Sequence, residues 1–470
     1  MTKSDQWTRR EVMATGAAAA VGAALTGASH AQDATHQHQH EPIQTRPTTA
    51  PDPAAPRVPA TQGGQPELPW SKAAREDYPP GEPGRHYRPV FTPDLRTLPY
   101  KLIDGVKVMH LIAEPLVHQV ADRMQSRVWG FNGSSPGPTI EVMQHDRVRI
   151  YVTNKLPAPT SVHWHGQRVP NGMDGFAGLT QPKIMPGETF KYEFHPPDPG
   201  TFMYHSHLDA MTQDGLGMIG MFIVHPREPR DPPPDRDFVI LLHEMFIEGG
   251  TSRPNPLEMA DFNILTMNGR VFPDNYPMVA QLGDRVRIRI GNLSAMSHHP
   301  IHLHGHSFRV TATDGGVIPP EGRWPETTVL VQVGSTRDIE FVADNPGDWI
   351  MHCHMTHHTM NQMGHDIPNM VGVHVPPQLE DKIKKLLPDF MVMGDKGMIG
   401  MANMNMRVPE NTIPMYGLKG QFGRTVFGGM AKLLKVRAHA HGYDDPGWYD
   451  FPAGSVAHKV EPHEVPPTIG

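Results

Sequence analysis

The sequence predicts an all-β protein built from two β-sandwiches. Proline and glycine, with 50 and 45 copies among 470 residues, together exceed a fifth of the chain, which favours short strands joined by turns over long helices. Segments that alternate apolar and polar residues, such as 147–152 and 189–194, are typical of strands with one buried face. A chain of this length is sufficient for two domains with terminal extensions.

The first 31 residues predict an export signal. Paired arginines at positions 9 and 10 precede an alanine-rich apolar stretch over residues 14–28, and residues 29–31 are small enough for a cleavage site. The arginine pair indicates the twin-arginine route and therefore a periplasmic protein. A membrane anchor is the alternative, but the stretch is short and rich in alanine and glycine. No later stretch is long enough to cross a bilayer, so no membrane span is expected after signal cleavage.

Residues 32–84 predict a disordered linker, because their proline-, threonine- and glutamine-rich composition cannot bury enough apolar surface to fold. A β-rich domain is expected over residues 85–230. A second is expected over residues 231–376, after a proline-rich break. The motif Asp-Arg-Val-Arg-Ile occurs at 146–150 and again at 284–288, which suggests two copies of one sandwich.

Residues 377–470 are expected to form a C-terminal extension. It begins with an amphipathic helix, roughly 378–387, which Pro388 would stop. A methionine-rich segment follows. Its methionines are Met391, Met393, Met398, Met401, Met404, Met406 and Met415.

Composition favours a metal protein over a nucleic-acid-binding one. The net charge is −7, which provides no excess of basic residues for a nucleic acid. The 30 histidines and 29 methionines are an unusual supply of borderline and soft ligands, and copper suits both. Cys353 is the single cysteine, so the chain has no internal disulfide and this thiol is available for other chemistry.

Four short motifs carry paired histidines. They are His163-Trp164-His165, His205-Ser206-His207, His302-Leu303-His304 and His352-Cys353-His354. Residues i and i+2 of a strand point to the same face, so each motif can present two imidazoles side by side. Eight imidazoles exceed the four ligands that a single zinc ion takes. A centre with several metal ions is therefore predicted.

The same period of two separates Cys353 from its neighbours, because its side chain must point away from the face of His352 and His354. His299 lies an odd number of residues before His302, so it can also face away from that pair. Together with His358 and Met363, these residues supply two imidazoles, one thiolate and one thioether. This is the ligand set of a blue-copper electron-transfer site with a weak axial methionine.

With these motifs, residues 85–375 resemble the multicopper oxidase family of laccases, cuprous oxidases and ferroxidases. The resemblance implies two cupredoxin-like Greek-key sandwiches and a copper-dependent oxidoreductase with O2 as acceptor. It implies one type 1, one type 2 and two type 3 copper ions. The type 1 ligands would be His299, Cys353, His358 and Met363; the type 2 ligands, His163 and His302; and the type 3 ligands, His165, His205, His207, His304, His352 and His354.

The distance between motifs indicates the two-domain branch of this family. His207 and His299 are only about ninety residues apart, which leaves no room for the extra domain of three-domain laccases. In the two-domain branch, first-domain histidines of one subunit meet second-domain histidines of its neighbour, which implies a homotrimer. Copper nitrite reductases also have two domains, but they carry their type 1 site in the first one. Residues 85–225 contain no cysteine, which argues against a nitrite reductase.

Two aspartates are candidates for a proton relay. Many family members carry a carboxylate in the last motif, where this chain has Met355, Thr356, His357 and Thr359. Asp174 matches an acidic residue that the family places near the type 2 copper, although aspartate before glycine is also a common turn former. Asp214 is a second candidate for this catalytic role, beside Cys353 as the electron-entry residue.

The methionine-rich segment leaves two donors open. Thioethers bind copper(I), so the segment is consistent with cuprous ion as donor and a role in copper tolerance. Methionine also fills packing gaps, in which case phenols are the better donor class. A non-catalytic periplasmic copper-sequestering protein is the alternative to an oxidase.

Overall fold

The computed structural model describes residues 78–362, 377–386 and 410–466, apart from Gly249, Gly315, Tyr416 and Leu418. The predicted export signal, most of the predicted linker, Met363 and the methionines from Met391 to Met406 lie outside the described residues. A helix at Pro377–Leu386 agrees with the predicted amphipathic helix. It is assigned to a different compact unit from the one that contains both sandwiches.

The first sandwich contains nine strands. They are β1 (Lys101–Ile103), β2 (Val106–Ala121), β3 (Met124–Phe131), β4 (Ile140–Met143), β5 (Arg147–Asn154), β6 (Val162–His163), β7 (Thr189–Phe194), β8 (Gly200–Ser206) and β9 (Ile219–His225). One sheet has the order β1-β2-β5-β7, with β3 on β2, and the other has the order β4-β9-β8-β6. Alternate residues of β5 (Val148, Ile150 and Val152) are fully buried between the sheets, as their sequence pattern predicts.

The second sandwich contains most of the remaining strands. The strands after β9 are β10 (Arg236–Met245), β11 (Ile264–Met267), β12 (Met278–Gln281), β13 (Arg285–Asn292), β14 (His299–Leu303), β15 (Phe308–Thr313), β16 (Gly316–Val317), β17 (Pro325–Glu326), β18 (Thr328–Val331), β19 (Thr336–Val342), β20 (Gly347–Cys353), β21 (Lys419–Gly420), β22 (Gly423–Arg424) and β23 (Ala431–Arg437). Its sheets have the orders β11-β10-β13-β19-β15-β16, with β17 on β15, and β12-β23-β20-β14-β18. The all-β fold class is confirmed.

The two sandwiches share one connectivity. In the first, β2 runs parallel to β5 and β4 parallel to β9. In the second, β10 runs parallel to β13 and β12 parallel to β23. The repeated Asp-Arg-Val-Arg-Ile motif starts one residue before β5 and β13, which occupy the same place in the two sheets. The sequence repeat therefore marks one structural repeat.

The predicted C-terminal boundary of the second domain at residue 376 is corrected by β23. This strand lies between β12 and β20 and pairs with both, so the second sandwich ends beyond residue 430. Without β23, the facing edges of β12 and β20 would leave their buried N–H and C=O groups unpaired. Because proline- and methionine-rich residues precede β23, the composition of this region did not predict a further strand of the second sandwich.

A buried ion network joins the two sandwiches. Arg289 of β13 makes two hydrogen bonds to the carboxylate of Asp237, at 2.8 and 2.9 Å, and a third to the hydroxyl of Thr201 in β8. Thr201 in turn donates to Asp338 at 2.7 Å. Because Arg289, Asp237 and Asp338 are almost completely buried, each charge depends on its partners. The network therefore constrains the orientation of the first sandwich against the second.

Helices are few and short in the described residues. Besides the helix at Pro377–Leu386, one α-helical turn lies at Ala210–Gln213 and short 3-10 turns at Asn171–Met173, Pro320–Gly322, Thr356–Thr359 and Pro462–Glu464. None of the helices in the described part of the chain has the length and apolar character that crossing a membrane requires.

Candidate metal centres

A buried cysteine meets two histidines inside the second sandwich. Cys353 ends β20, and its Sγ lies 3.6 Å from Nδ1 of His299 and 3.5 Å from Nδ1 of His358. The two ring nitrogens are 3.2 Å apart. His299 begins β14, and His358 lies in the 3-10 turn that follows β20. The structure therefore brings together three of the four residues predicted for a type 1 site, and Met363 lies outside the described residues.

The spacing of these three donor atoms fits one metal ion. A circle through atoms separated by 3.6, 3.5 and 3.2 Å has a radius of about 2.0 Å, close to the length of metal–nitrogen and metal–sulfur bonds. A thiolate with two imidazoles is a set that suits copper. His358 lies five residues and His299 54 residues from Cys353 in the sequence, so the fold brings these three donors together.

Burial favours the neutral form of all three groups. It raises the pKa of the Cys353 thiol to about 12 and, with the nearby His358, lowers the pKa of His299 to about 3. Neutral imidazole is the form that binds metals, whereas the thiol must lose its proton when a cation binds. The hydroxyl of Ser294 lies 2.8 Å from Nε2 of His299 and fixes the ring with Nδ1 toward the sulfur.

Four histidines of the second sandwich form a separate cluster. They are His302, His304, His352 and His354, with ring centroids 4.9 to 5.6 Å apart. The β14–β20 register sets His302 opposite His352, and Nε2 of His304 lies 3.2 Å from Nε2 of His352. Cys353 lies on the other side of β20, as the period of two predicts. One short peptide segment therefore contributes to both groups.

The first sandwich holds the other four predicted histidines. They are His163, His165, His205 and His207, with ring centroids 5.3 to 5.8 Å apart. The β6–β8 register sets His163 opposite His205. Nitrogen atoms of His163, His165 and His205 all lie within 4.8 Å of one another, close enough to share a metal ion.

Backbone carbonyls orient several of these rings. A carbonyl only accepts, so the facing Nδ1 must carry the hydrogen and Nε2 keeps its lone pair for a metal. The bonds run from His163 to Asp174 (2.8 Å), from His302 to Thr327 (2.7 Å) and from His352 to Cys353 (2.8 Å). In His165 the roles are reversed. Its Nε2 donates to the carbonyl of Gly334, and its Nδ1 lies 3.3 Å from His205.

Within one chain the two histidine clusters remain apart. Among the described residues, no hydrogen bond, ion pair or ring contact joins a histidine of the first cluster to one of the second. Each cluster offers four imidazoles on the edge of its own sandwich. A centre that uses all eight therefore needs a further contact between sandwiches.

Comparison with known proteins assigns the chain to a family. Two family models, both described as multicopper oxidase, match residues 114–229 and 250–372, which together make up just over half of the chain. The chain belongs to the multicopper oxidase family. Copper is the cofactor that this family implies, and the donor set around Cys353 fits it.

The relatives of this multicopper oxidase include copper resistance and laccase-type proteins. Copper resistance protein A of Escherichia coli is 27% identical over 266 residues, which are 46% of this chain and 43% of the relative. Multicopper oxidase MmcO of Mycobacterium tuberculosis is 34% identical over 225 residues, 41% of this chain and 44% of the relative. The chain thus spans less than half the length of these relatives. The blue copper oxidase structure from Nitrosomonas europaea is 25% identical, with a TM-score of 0.50, over 70% of this chain and 85% of that one.

Two carboxylates approach the first cluster of the multicopper oxidase. Asp174 lies 3.4 Å from Nδ1 of His163 through Oδ1. The following Gly175 has a φ of +90°, and a Cβ there would meet the carbonyl oxygen of Val162 at 1.8 Å, so only glycine lets this turn approach β6. Asp214 lies 3.0 Å from Nδ1 of His205 through Oδ2, and burial raises the pKa of Asp214. Both predicted relay residues therefore contact a candidate copper ligand.

Sequence patterns did not single out several groups around these centres. His243 in β10 lies 3.1 Å from the carbonyl oxygen of Asp214, and Gln213 accepts hydrogen bonds from Thr160 and from Ser206, between His205 and His207. No motif marks these residues. A buried polar residue in the apolar run of β10 is a signal that could have drawn attention to His243.

Proposed function

We propose that this chain is an exported copper oxidase, which takes electrons singly from a donor at Cys353 and reduces dioxygen to water at a three-copper cluster. The observation that carries the proposal is the position of Cys353. Its thiol belongs to the buried triad with His299 and His358, while its neighbours His352 and His354 belong to a different cluster. An electron accepted at the thiol is thus one residue from the second centre.

The copper ligands we propose are those that the family resemblance implies. His299, Cys353, His358 and Met363 would hold the type 1 ion; His163 and His302, the type 2 ion; and His165, His205, His207, His304, His352 and His354, the type 3 pair. Copper supplies the one-electron oxidation of the donor and the four-electron reduction of dioxygen. The chain's own contribution is to bury the thiol, to hold the rings in fixed orientations and to deliver protons.

A second copy of the chain would complete the three-copper cluster. The separation of the two histidine clusters within one chain supports the two-domain branch, in which the first cluster of one subunit faces the second cluster of its neighbour. Such a contact joins two different surfaces, and repetition closes it into a ring. We propose a homotrimer on this basis.

Asp214 and Asp174 are the proposed proton relay. Replacement of Asp214 by asparagine is expected to slow dioxygen reduction by about 10- to 100-fold, because the amide keeps the shape of the side chain but cannot exchange a proton. Copper content and colour should remain, since Asp214 contacts His205 without being a proposed ligand. Steady-state oxygen consumption over a range of pH checks this. The same measurement on Asp174→Asn shows which of the two carboxylates contributes more to the rate.

Asp209→Asn is a matched control for the relay. Asp209 is exposed, starts the same helical turn that ends at Asp214, and has a φ of +51°, which asparagine tolerates. It should leave the rate unchanged. An Asp214→Asn enzyme with the full rate at every pH would remove Asp214 from the relay.

The donor class stays open between phenols and copper(I). Relatives named copper resistance protein and laccase are consistent with either, and the methionine-rich segment at 391–406, which would favour copper(I) and a role in copper tolerance, lies outside the described residues. The paired arginines at positions 9 and 10 support export to the periplasm by the twin-arginine route.

Oxygen consumption tests the proposed function against copper sequestration. The copper-loaded protein should consume oxygen in the presence of a generic one-electron donor, with four donor electrons used for each dioxygen molecule. Copper-free protein is the control. A protein that binds copper tightly but consumes no oxygen with phenolic donors or copper(I) would be a sequestering protein and not an oxidase.

A further inference from the structure

Glu244 is a buried carboxylate beside the triad of Cys353, His299 and His358. It lies near the end of β10, directly after His243, and only 1% of its surface is exposed. Other buried carboxylates of this chain have a basic partner: Asp146 pairs with Lys107, Asp237 with Arg289 and Glu141 with His225. Glu244 forms no ion pair with any residue in the described part of the chain.

The contacts of Glu244 lead directly to the triad. Its Oε1 accepts the backbone N–H groups of Met296 at 2.7 Å and Ser297 at 2.9 Å. These residues belong to the loop between β13 and β14, which ends at His299 and carries the Ser294 hydroxyl that holds the His299 ring. The second oxygen, Oε2, is buried and has no hydrogen-bond partner among the described residues. Oε1 thus holds the loop in place, whereas the charge on Oε2 is not offset by a hydrogen bond among the described residues.

An unpaired buried carboxylate is unfavourable unless a positive charge lies close by. A copper ion in the triad would be that charge. Glu244 accepts the backbone N–H of Ser297, two residues before His299, so the field of its carboxylate acts on the triad. Such a field stabilises the more positive, oxidised copper over the reduced one.

We propose that Glu244 is a positioning residue of the type 1 site, whose backbone hydrogen bonds hold the loop before His299 and whose negative charge lowers the reduction potential of the copper bound there. The inference rests on the proposed function, since it needs copper in the triad. It assigns to β10 a part in electron transfer that the ligand motifs do not predict. A lower potential restricts the donors to those that give up an electron readily.

Glu244→Gln separates the charge from the hydrogen bonds, because the amide oxygen can accept from the same two N–H groups. The copper-loaded variant should keep its copper content, its blue absorption and its melting temperature. Its type 1 potential should rise, so that the ratio of oxidised to reduced copper at a fixed potential falls about tenfold, or about 59 mV for a one-electron couple. A redox titration followed by the blue absorption measures this shift without any turnover.

Two further variants make the test specific. Glu248→Gln removes the same charge from an exposed position four residues later and should leave the potential unchanged. Glu244→Asp keeps the charge but shortens the side chain, so its potential should stay nearer to that of the wild type than to that of Glu244→Gln.

Equal potentials for Glu244→Gln and Glu248→Gln would overturn the proposal. So would an equal rise in Glu244→Asp, which would attribute the shift to the loop and not to the charge. Loss of copper from Glu244→Gln would also overturn it, since that result points to a ligand. Absence of blue absorption from the copper-loaded wild type is a different failure, because it rejects the type 1 site itself.

Discussion

Cys353→Ser should eliminate the blue absorption and reduce oxygen consumption to the rate without enzyme. The absorption of a type 1 site arises from its thiolate, and the same sulfur is the proposed entry point for every electron. Serine is only slightly smaller than cysteine, but it places a hydroxyl among the apolar residues that surround position 353. The free energy of unfolding should therefore fall by no more than about 2 kcal/mol. Visible absorption, oxygen consumption and thermal unfolding of the copper-loaded protein provide the three measurements.

Met351→Leu is the matched control on the same strand. Met351 is fully buried in the same core, and the exchange nearly conserves volume, so colour and activity should both survive. A Cys353→Ser protein that remains blue and consumes oxygen at the normal rate would show that the triad is not the electron-entry site.

Mixing two inactive variants should restore oxidase activity. One variant carries His163→Ala and His165→Ala in the first cluster, and the other carries His302→Ala and His304→Ala in the second. If each three-copper cluster forms between neighbouring subunits, some contacts in a mixed trimer join an intact first cluster to an intact second cluster. Random assembly from equal amounts predicts about a quarter of the wild-type activity, because each of the two halves is intact with a chance of about one half.

The complementation requires that subunits be mixed before assembly, by co-expression or by joint refolding. A mixture of His163→Ala/His165→Ala with His205→Ala/His207→Ala is the control, since both variants lack the first cluster and no arrangement restores it. Sedimentation should report trimers in every case. If the cross-cluster mixture stays inactive, or if the wild type holds its full copper as a monomer, the cluster lies within one chain and the two-domain trimer is wrong.

The separation of Cys353 from the neighbouring histidines was predictable because strand periodicity is a local property. Cys353 and its two histidine neighbours must alternate between faces whatever the rest of the chain does, and His299 differs in parity from His302 and His304. The structure shows the expected result, with Cys353 beside His299 and His358 and away from His302. The repeated strand motif likewise predicted two related sandwiches.

Contacts between distant parts of the chain were not predictable in this way. β23 pairs with β20 across about eighty residues of sequence, most of them without a periodic pattern, so the domain boundary placed at 376 was wrong. Asp214 could be nominated as an acid but not matched to His205, because that match depends on how the turn at Ala210–Gln213 packs against β8. Glu244 had no motif to mark it.

The sequence by itself determined which side chains are candidate copper ligands, how they pair along each strand and the all-β class, because those follow from side-chain chemistry and a period of two. The tertiary structure decided which ring nitrogen faces each cluster, which carboxylates approach the histidines and where the second sandwich ends. It also decided that the eight histidines form two clusters within one chain. These outcomes depend on sheet packing and strand order. Packing is determined by contacts among residues that are far apart in the sequence, so no local pattern encodes it.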